Sequence, residues 1–293
     1  MLKSLIALGA PMQFNQSGNI AITAALDTYS KMRIQSSCTE CCDGGVEVLI
    51  FLTIDSTNTY LKSLAPPTER SLICITEQQT AGRGRRGKRW ASPFASNVYF
   101  SYRGRVRVDP QLCGCISLIS GLATIQALES LGFKGLQLKW PNDIYVNHKK
   151  LAGMLIEVVS INAEYVDLVI GIGLNVKMPL FATAEIEQPW TDLHHCLSAE
   201  AVLQVMPSRT DIVIAIVNQL VTNLRVFEAT GLPAFYQQWN KYDLLQGRSI
   251  NVRQANKEIH GVAAGINECG ELRLQSETGI IFVNAGEVSV RFL

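Results

Sequence analysis

The chain has little charge of either sign. Lysine and arginine together number 26 and aspartate and glutamate 25 in 293 residues, so the net charge is +1. That balance excludes a molecule-wide electrostatic role, and any attraction for anions has to be local. Long apolar runs are lacking as well. Val46 to Ile54 is strand-sized and well short of the roughly 18–20 residues that cross a bilayer. The opening run after Lys3 is too short, and lacks a clear cleavage site, for a signal peptide. A cytoplasmic protein with no membrane partner is the expectation. The four histidines, at 148, 194, 195 and 260, form no metal-ligand spacing. No catalytic triad or Gly-x-Ser-x-Gly elbow is legible, which disfavours nucleophilic hydrolase chemistry. Internal repeats and low-complexity segments are missing too, and with 47% hydrophobic residues the composition is that of a globular chain.

Cysteine, by contrast, occurs eight times. Cys38 and Cys41 have the spacing of half a zinc site, with Cys42 adjacent, but no second Cys or His pair lies close in sequence. Reduced thiols of a cytosolic protein are the alternative reading. Cys113 and Cys115 stand two apart in a predicted helix and do not face each other, so no disulfide is expected between them.

The length allows one large domain and one small one. Residues 1–45 have the weakest pattern, with a helix predicted near Ile20 to Met32 and a loop over Ser37 to Gly45. The β-branched run Val46 to Ile54 predicts a strand. Asp55-Ser56-Thr57-Asn58 then supplies helix-capping side chains, and Pro66-Pro67 stops a short helix from Thr57 to Leu64. Further strands are predicted at Leu72 to Thr76, Asn97 to Arg103, Leu136 to Trp140, Ile144 to Val146, Lys150 to Val159 and Tyr165 to Val176. In Gln111 to Leu131, Leu112, Ile116, Ile119 and Ala123 recur at helical spacing and Gly132 closes the segment. Ile212 to Phe227 and Pro233 to Tyr242 are the other predicted helices. After Gly247, five short strands separated by turns, Ser249 to Arg253, Glu258 to Ala264, Glu271 to Gln275, Ile280 to Val283 and Val288 to Phe292, imply a small barrel. The division is therefore 1–45, 46–245 and 246–293. Pattern alone leaves the large domain either doubly wound or α+β.

Four segments carry chemistry. Gln79 precedes Gly82-Arg83-Gly84-Arg85-Arg86-Gly87-Lys88-Arg89-Trp90, in which five cations fall within seven residues. Glycine permits close backbone approach, and arginine forks match carboxylate and phosphate oxygens. The loop has neither the Walker A ending nor the dinucleotide-fold context. It reads either as an anion site or as a solvated basic loop. Lys139-Trp140-Pro141-Asn142-Asp143, with Lys150-Leu151-Ala152-Gly153 behind it, is a turn between strands, or a place where a lysine neutralises a substrate carboxylate and Asp143 positions that lysine or a magnesium ion. Gly171-Ile172-Gly173-Leu174-Asn175 ends a strand. Its glycines mark a bulge or the close approach of a ligand that Asn175 faces. Ser56, Thr57 and Asn58 serve as a cap or as donors and acceptors for a neutral polar ligand.

In their order and spacing these segments resemble the biotin–protein ligases, and the resemblance extends from about Val46 to Leu293. It implies an α+β fold: a mixed β-sheet with packed helices, like that of the class II aminoacyl-tRNA synthetases, followed by a small SH3-like C-terminal barrel. It also implies biotin as substrate, ATP and Mg2+ as cofactors, a biotinyl-5′-AMP intermediate, and transfer to a lysine of a biotin carboxyl carrier domain such as that of acetyl-CoA carboxylase. By the same resemblance, Ser56, Thr57, Asn58 and Gln79 bind the ureido head of biotin, with Gly84 and Gly153 beside it. Arg83 and Arg85 hold the acid and phosphate groups, and Lys150 contacts the carboxylate. Trp90, Lys139, Asn142, Asn175 and, near the end of the chain, Arg291 belong to the nucleotide site. Asp143 orients or helps deprotonate the acceptor lysine. The catalytic set is Lys150, Arg85 and Asp143, with no metal ligand assigned.

Family members with a second function carry an N-terminal winged helix that binds DNA. Residues 1–45 are too short for one and hold only Lys3, Lys31 and Arg33 as cations, so no nucleic-acid partner is expected. The resemblance leaves room for a homodimer. The rivals are a lipoate–protein ligase, which the basic loop and Lys139 to Asp143 argue against, and a non-catalytic biotin-binding regulator, which Lys150 argues against.

Overall fold

The fold is seen in a computed structural model. It describes residues 12–14, 20–22, 27–39, 42, 44–64, 70–184, 186–196, 206–254, 257–286 and 288–292. A short antiparallel pair, β1 (Met12–Phe14) with β2 (Ile20–Ile22), comes first, followed by α1 (Lys31–Thr39). The helix expected near Ile20 to Met32 is therefore not found there: its first residues are a strand, and the helix starts later. Ser30 sets that start, its Oγ accepting the Arg33 N–H at 3.4 Å, as N-caps do. The loop expected from Ser37 is helical as far as Thr39. Cys41, Pro66-Pro67 and Asn256 lie outside the described residues.

Seven strands form the main sheet: β3 (Val46–Phe51), β4 (Ser71–Thr76), β5 (Val98–Val106), β6 (Gln137–Lys139), β7 (Asp143–Val146), β8 (Lys149–Ile161) and β9 (Val166–Leu174). Their order is β3-β4-β5-β9-β8-β7-β6. Only β3 and β4 run parallel, and the other neighbours are antiparallel. The strand alternation sorts residues onto two faces. One face, with Val98, Phe100, Tyr102, Ile170, Ile172 and Leu174, is buried in the main core beneath α3 (Cys113–Ser130) and α5 (Arg209–Thr230). By length and composition these two helices could span a bilayer, yet here they pack with much of their surface inside the molecule. The other face takes α2 (Thr57–Ser63), whose Leu61 is buried with Cys74 and Val169. It also carries Tyr99, Ser101, Arg103, Gly171 and Gly173.

The short helix α4 (Leu193–Cys196) precedes α5, and α6 (Tyr236–Tyr242) follows it. The C-terminal unit is a five-stranded antiparallel, SH3-like sheet of β10 (Ser249–Gln254), β11 (Lys257–Ile266), β12 (Leu272–Ser276), β13 (Gly279–Val283) and β14 (Val288–Phe292), in the order β13-β12-β11-β10-β14. All five predicted strands are present, with ends shifted by a residue or two. Trp140, 1% exposed, joins this unit to the main sheet by donating from Nε1 to the Gly270 carbonyl at 3.0 Å. Gly270 sits against Cys115 and Leu118 of α3. Cys74, Cys113, Cys115, Cys196 and Cys269 are free thiols.

Candidate active site

The site lies on the α2 face of the sheet. Ser56 caps α2, its Oγ accepting the Thr59 N–H at 3.4 Å. The cap fixes Thr57 and Asn58 at the first turn, both buried. Gln79 Oε1 accepts from Thr57 N and Oγ1 at 3.0 and 3.3 Å, and its Nε2 donates to Ser92 Oγ at 3.1 Å. Ser101, fully buried on β5, stands 2.7 Å from Thr57 Oγ1 and donates to Asn58 Oδ1 at 2.6 Å. These neutral groups form one connected set, as buried polar groups must to avoid a desolvation cost.

The basic loop is a narrow hairpin with a cleft of about 470 Å³ along it. It is closed by Trp90 N–H to Gly82 O at 2.9 Å and Gly84 N–H to Lys88 O at 2.7 Å. A Cβ at Gly82 would fall 2.4 Å from the Trp90 carbonyl, so the hairpin cannot close without glycine there. At its tip Arg86 is left-handed, with φ of 57°. The two arginines assigned to the site diverge. Arg83 reaches Glu157 and Thr59. Arg85 donates from Nη1 to Asn142 Oδ1 at 3.2 Å and from Nη2 to the carbonyls of Ala285 and Gly286 in the β13–β14 turn. Burial pulls the Arg85 guanidinium below its usual value, with Asp143 opposing.

A bulge places the principal lysine. Tyr145 pairs with Lys150 and Ile144 with Ala152, so Leu151 is the extra residue. Asp143 and Tyr145 share a face, and the bulge puts Lys150 on that face together with Gly153. Lys150 Nζ is then 2.8 Å from Asp143 Oδ1, with side chains 14% and 19% exposed. Trp90 covers this pair: Lys150 Nζ is 5.3 Å from its ring centroid, and the ring lies over Gly153 and Gly173. A Cβ at Gly173 would come within 2.5 Å of the indole, and one at Gly171 within 2.2 Å of Asn58 Oδ1. The close approach expected at these glycines is thus made by the protein's own side chains. Asn142 Nδ2 donates to the Met154 carbonyl at 2.8 Å and ties the turn to β8.

Asn175, 3% exposed, donates to the Thr191 carbonyl at 2.9 Å. Among the described residues, its Oδ1 and Trp90 Nε1 are buried without a hydrogen-bond partner. Burial pulls the Lys139 ammonium down; Asp143 opposes this, while Lys150, Lys88 and Arg291 add to it. Arg291 therefore lies within electrostatic reach of the same cluster. Ser92, Ser101 and Glu157 escaped the sequence reading. The one signal for Glu157 was its position two steps beyond Leu155 on the Gly153 face of a strand otherwise rich in apolar residues.

Residues 50–175 match the model of the biotin/lipoate A/B protein ligase family, and residues 246–291 match that of the biotin protein ligase C-terminal domain. The bifunctional ligase/repressor BirA of Escherichia coli is 34% identical over 249 residues, which span 85% of this chain and 75% of that protein. The biotin–[acetyl-CoA-carboxylase] ligase of Mycobacterium tuberculosis is 31% identical over 222 residues, 74% of this chain and 78% of that one. The structure of the Aquifex aeolicus biotin protein ligase in complex with biotin and ATP superposes with a TM-score of 0.68 at 26% identity, covering 84% of this chain and 99% of that one. With both halves of the molecule matched in sequence and in fold, the chain belongs to the biotin–protein ligase family.

Proposed function

We propose that this chain joins biotin and ATP into biotinyl-5′-AMP and then passes biotin to a lysine of a biotin carboxyl carrier domain, such as that of acetyl-CoA carboxylase. The observation that carries the reading is the Lys150–Asp143 pair at 2.8 Å, covered by Trp90 and set beside the neutral groups of Ser56, Thr57, Asn58 and Gln79. A ligand with an uncharged polar head and an acid tail fits that sequence of surfaces.

In the first step a carboxylate oxygen attacks the α-phosphorus, the bond to the bridging oxygen breaks, and pyrophosphate leaves. Two anions have to meet, so fixed cations lower the barrier. In this reading Lys150 serves the carboxylate and Arg85 the phosphate, with Lys139 and Arg291 serving the nucleotide. In the second step a carrier amine attacks the acyl carbon, the bond to the phosphate oxygen breaks, AMP leaves, and the new amide nitrogen loses a proton. Asp143 is the carboxylate that orients the incoming amine. The hairpin and Trp90 shield the mixed anhydride from water.

Magnesium binds through one or two carboxylates together with phosphate oxygens. Asp143 and the unpartnered Oδ1 of Asn175 are the oxygens that fit it, and the ion would offset phosphate charge. The free thiols suit a reducing cytoplasm. β3 lies at the sheet edge with β4 as its only strand neighbour among the described residues, an edge available to a homodimer. The test is ATP–pyrophosphate exchange: it is expected to depend on biotin, and exchange with lipoate but not biotin overturns the reading.

A further inference from the structure

We propose that Glu157 is a positioning residue for the adenylation reaction, holding the basic hairpin down through Arg83 while it fixes the amide of Asn58. The inference rests on the function proposed above, and it assigns to Arg83 a part played through Glu157.

The geometry is that of one carboxylate shared by three donors. Glu157 Oε1 is 2.7 Å from Lys62 Nζ and 3.2 Å from Arg83 Nη2. Glu157 Oε2 is 3.0 Å from Asn58 Nδ2 and 3.3 Å from Arg83 Nη1. The arginine contact is therefore a fork on both oxygens, the arrangement that gives a guanidinium direction as well as attraction. The Glu157 side chain is only 13% exposed, whereas Arg83 is 46% exposed. The anchor is thus largely buried and the held group is the more exposed partner, as a latch requires.

The second half of the argument is the orientation of Asn58. Its Nδ2 donates to Glu157 and to the Leu155 carbonyl at 3.1 Å, while its Oδ1 accepts from Ser101 at 2.6 Å. Turning the amide over would set its oxygen against two acceptors, the Glu157 carboxylate and the Leu155 carbonyl, and would lose the hydrogen bond it accepts from Ser101. Glu157 thereby decides which atom of Asn58 lies over Gly171. The contacts continue through Ser101, Thr57, Gln79 and Ser92 to the Trp90 carbonyl, where the hairpin ends. The start of the hairpin is tied through Arg83 and its end through Ser92, and both lines meet at the groups proposed to bind the neutral head of the substrate. A ligand that orders that head also favours the closed hairpin, by linkage through one carboxylate.

Limited trypsin digestion of the full chain without ligand, scoring cuts after Arg85 and Arg86, is read beside biotin-dependent pyrophosphate exchange. In Glu157→Gln these cuts are expected about tenfold faster, with KM for biotin raised about tenfold, from the loss of charged hydrogen bonds, and kcat changed by less than about threefold. Arg83→Ala should give the same acceleration, and the double variant should be no faster than either single one. A merely structural role would lower the unfolding midpoint without this non-additivity. Additive effects in the double variant, or a folded Glu157→Gln cut at the wild-type rate, overturn the proposal. Should Glu157→Gln fail to fold, an unchanged cutting rate in Arg83→Ala overturns it. A wild-type protein without biotin-dependent exchange refutes the proposed function and leaves the protease comparison intact.

Discussion

Arg209, buried, and Lys150, half-buried, are both cations close to a carboxylate, Arg209 Nη1 2.7 Å from Glu77 Oε2 and Lys150 Nζ 2.8 Å from Asp143 Oδ1. Their surroundings differ. Arg209 also donates to the carbonyls of Asn97 and Asp27 and lies 4.6 Å from the centre of the Tyr29 ring. Its side chain is 3% exposed, and with Ser30 N–H bonded to Thr210 Oγ1 it fastens the segment before α1 to the start of α5 and the end of β4. The Lys150 pair is more open to solvent, and beside it stand Trp90, with a buried Nε1, and Asn175, with a buried Oδ1, neither atom having a hydrogen-bond partner among the described residues. Arg209 keeps a buried Nε without a hydrogen-bond partner too, so unspent polar atoms alone do not separate the two clusters. Position and exposure do. Arg209 and Glu77, 3% and 8% exposed, tie three segments of the chain together and mark a joint of the fold, whereas Lys150 and Asp143, 14% and 19% exposed, face the basic hairpin and Trp90 and mark a place for a ligand.

The contrast is broken most directly at Arg209. Replacement by methionine strands Glu77 as a buried charge, and breaking such a pair costs about 3–5 kcal/mol. Urea unfolding should show the midpoint falling at constant slope, while pyrophosphate exchange per folded molecule stays at the wild-type level. Lost exchange with an unmoved midpoint would make Arg209 part of the site and dissolve the distinction. Lys150→Ala is the converse. The first-step rate should drop by about 10²–10³-fold, the usual effect of removing one preorganised charge-stabilising group, with a much smaller change in unfolding midpoint. An unaltered first-step rate rules out the assigned role.

Arg85 falls between these cases, because its partners are carbonyl oxygens of another part of the fold and the side-chain oxygen of Asn142. Arg85→Gly removes the link between hairpin and C-terminal sheet and adds flexibility. The adenylate should dissociate about tenfold faster, as expected from the loss of hydrogen bonds to a charged group. Stopped-flow dissociation measures this, and an unchanged rate contradicts the covering role of the hairpin.

The sequence was most informative where a segment's own pattern decides its structure. The five C-terminal strands and α3 follow from alternation and helical spacing, and the cap at Ser56 from its hydroxyl. The order of the site motifs was equally legible and led to the family. What escaped notice depends on neighbours distant in the chain. Ile20 to Met32 is apolar enough for a helix, yet Ile20–Ile22 pairs with Met12–Phe14 and Ser30 caps the helix that follows. The bulge at Leu151 leaves no local mark, although it turns Lys150 toward Asp143. Glu157 reads along the chain as the polar phase of a strand, and only α2 and the hairpin, about 95 and 74 residues earlier, make it a junction.

The smallest expected effect concerns that junction and pH. Burial acts to raise the Glu157 pKa, but the hydrogen bonds from Lys62 and Asn58 and the charge of Arg83 outweigh it, and the carboxyl is held below its ordinary value of 4.5. A carboxylate depressed in this way binds its proton less readily folded than unfolded. Its contribution to stability is complete above the unfolded value and disappears as pH falls through the folded one. The gap in unfolding midpoint between wild type and Glu157→Gln should therefore be flat from about pH 8 to pH 5 and should close only in more acid solution. Comparing the two proteins at each pH cancels the titration of carboxylates they share. A gap that closes between neutrality and pH 5 would mean that Lys62, Asn58 and Arg83 do not hold the charge, and Glu157 would then be an ordinary strand residue.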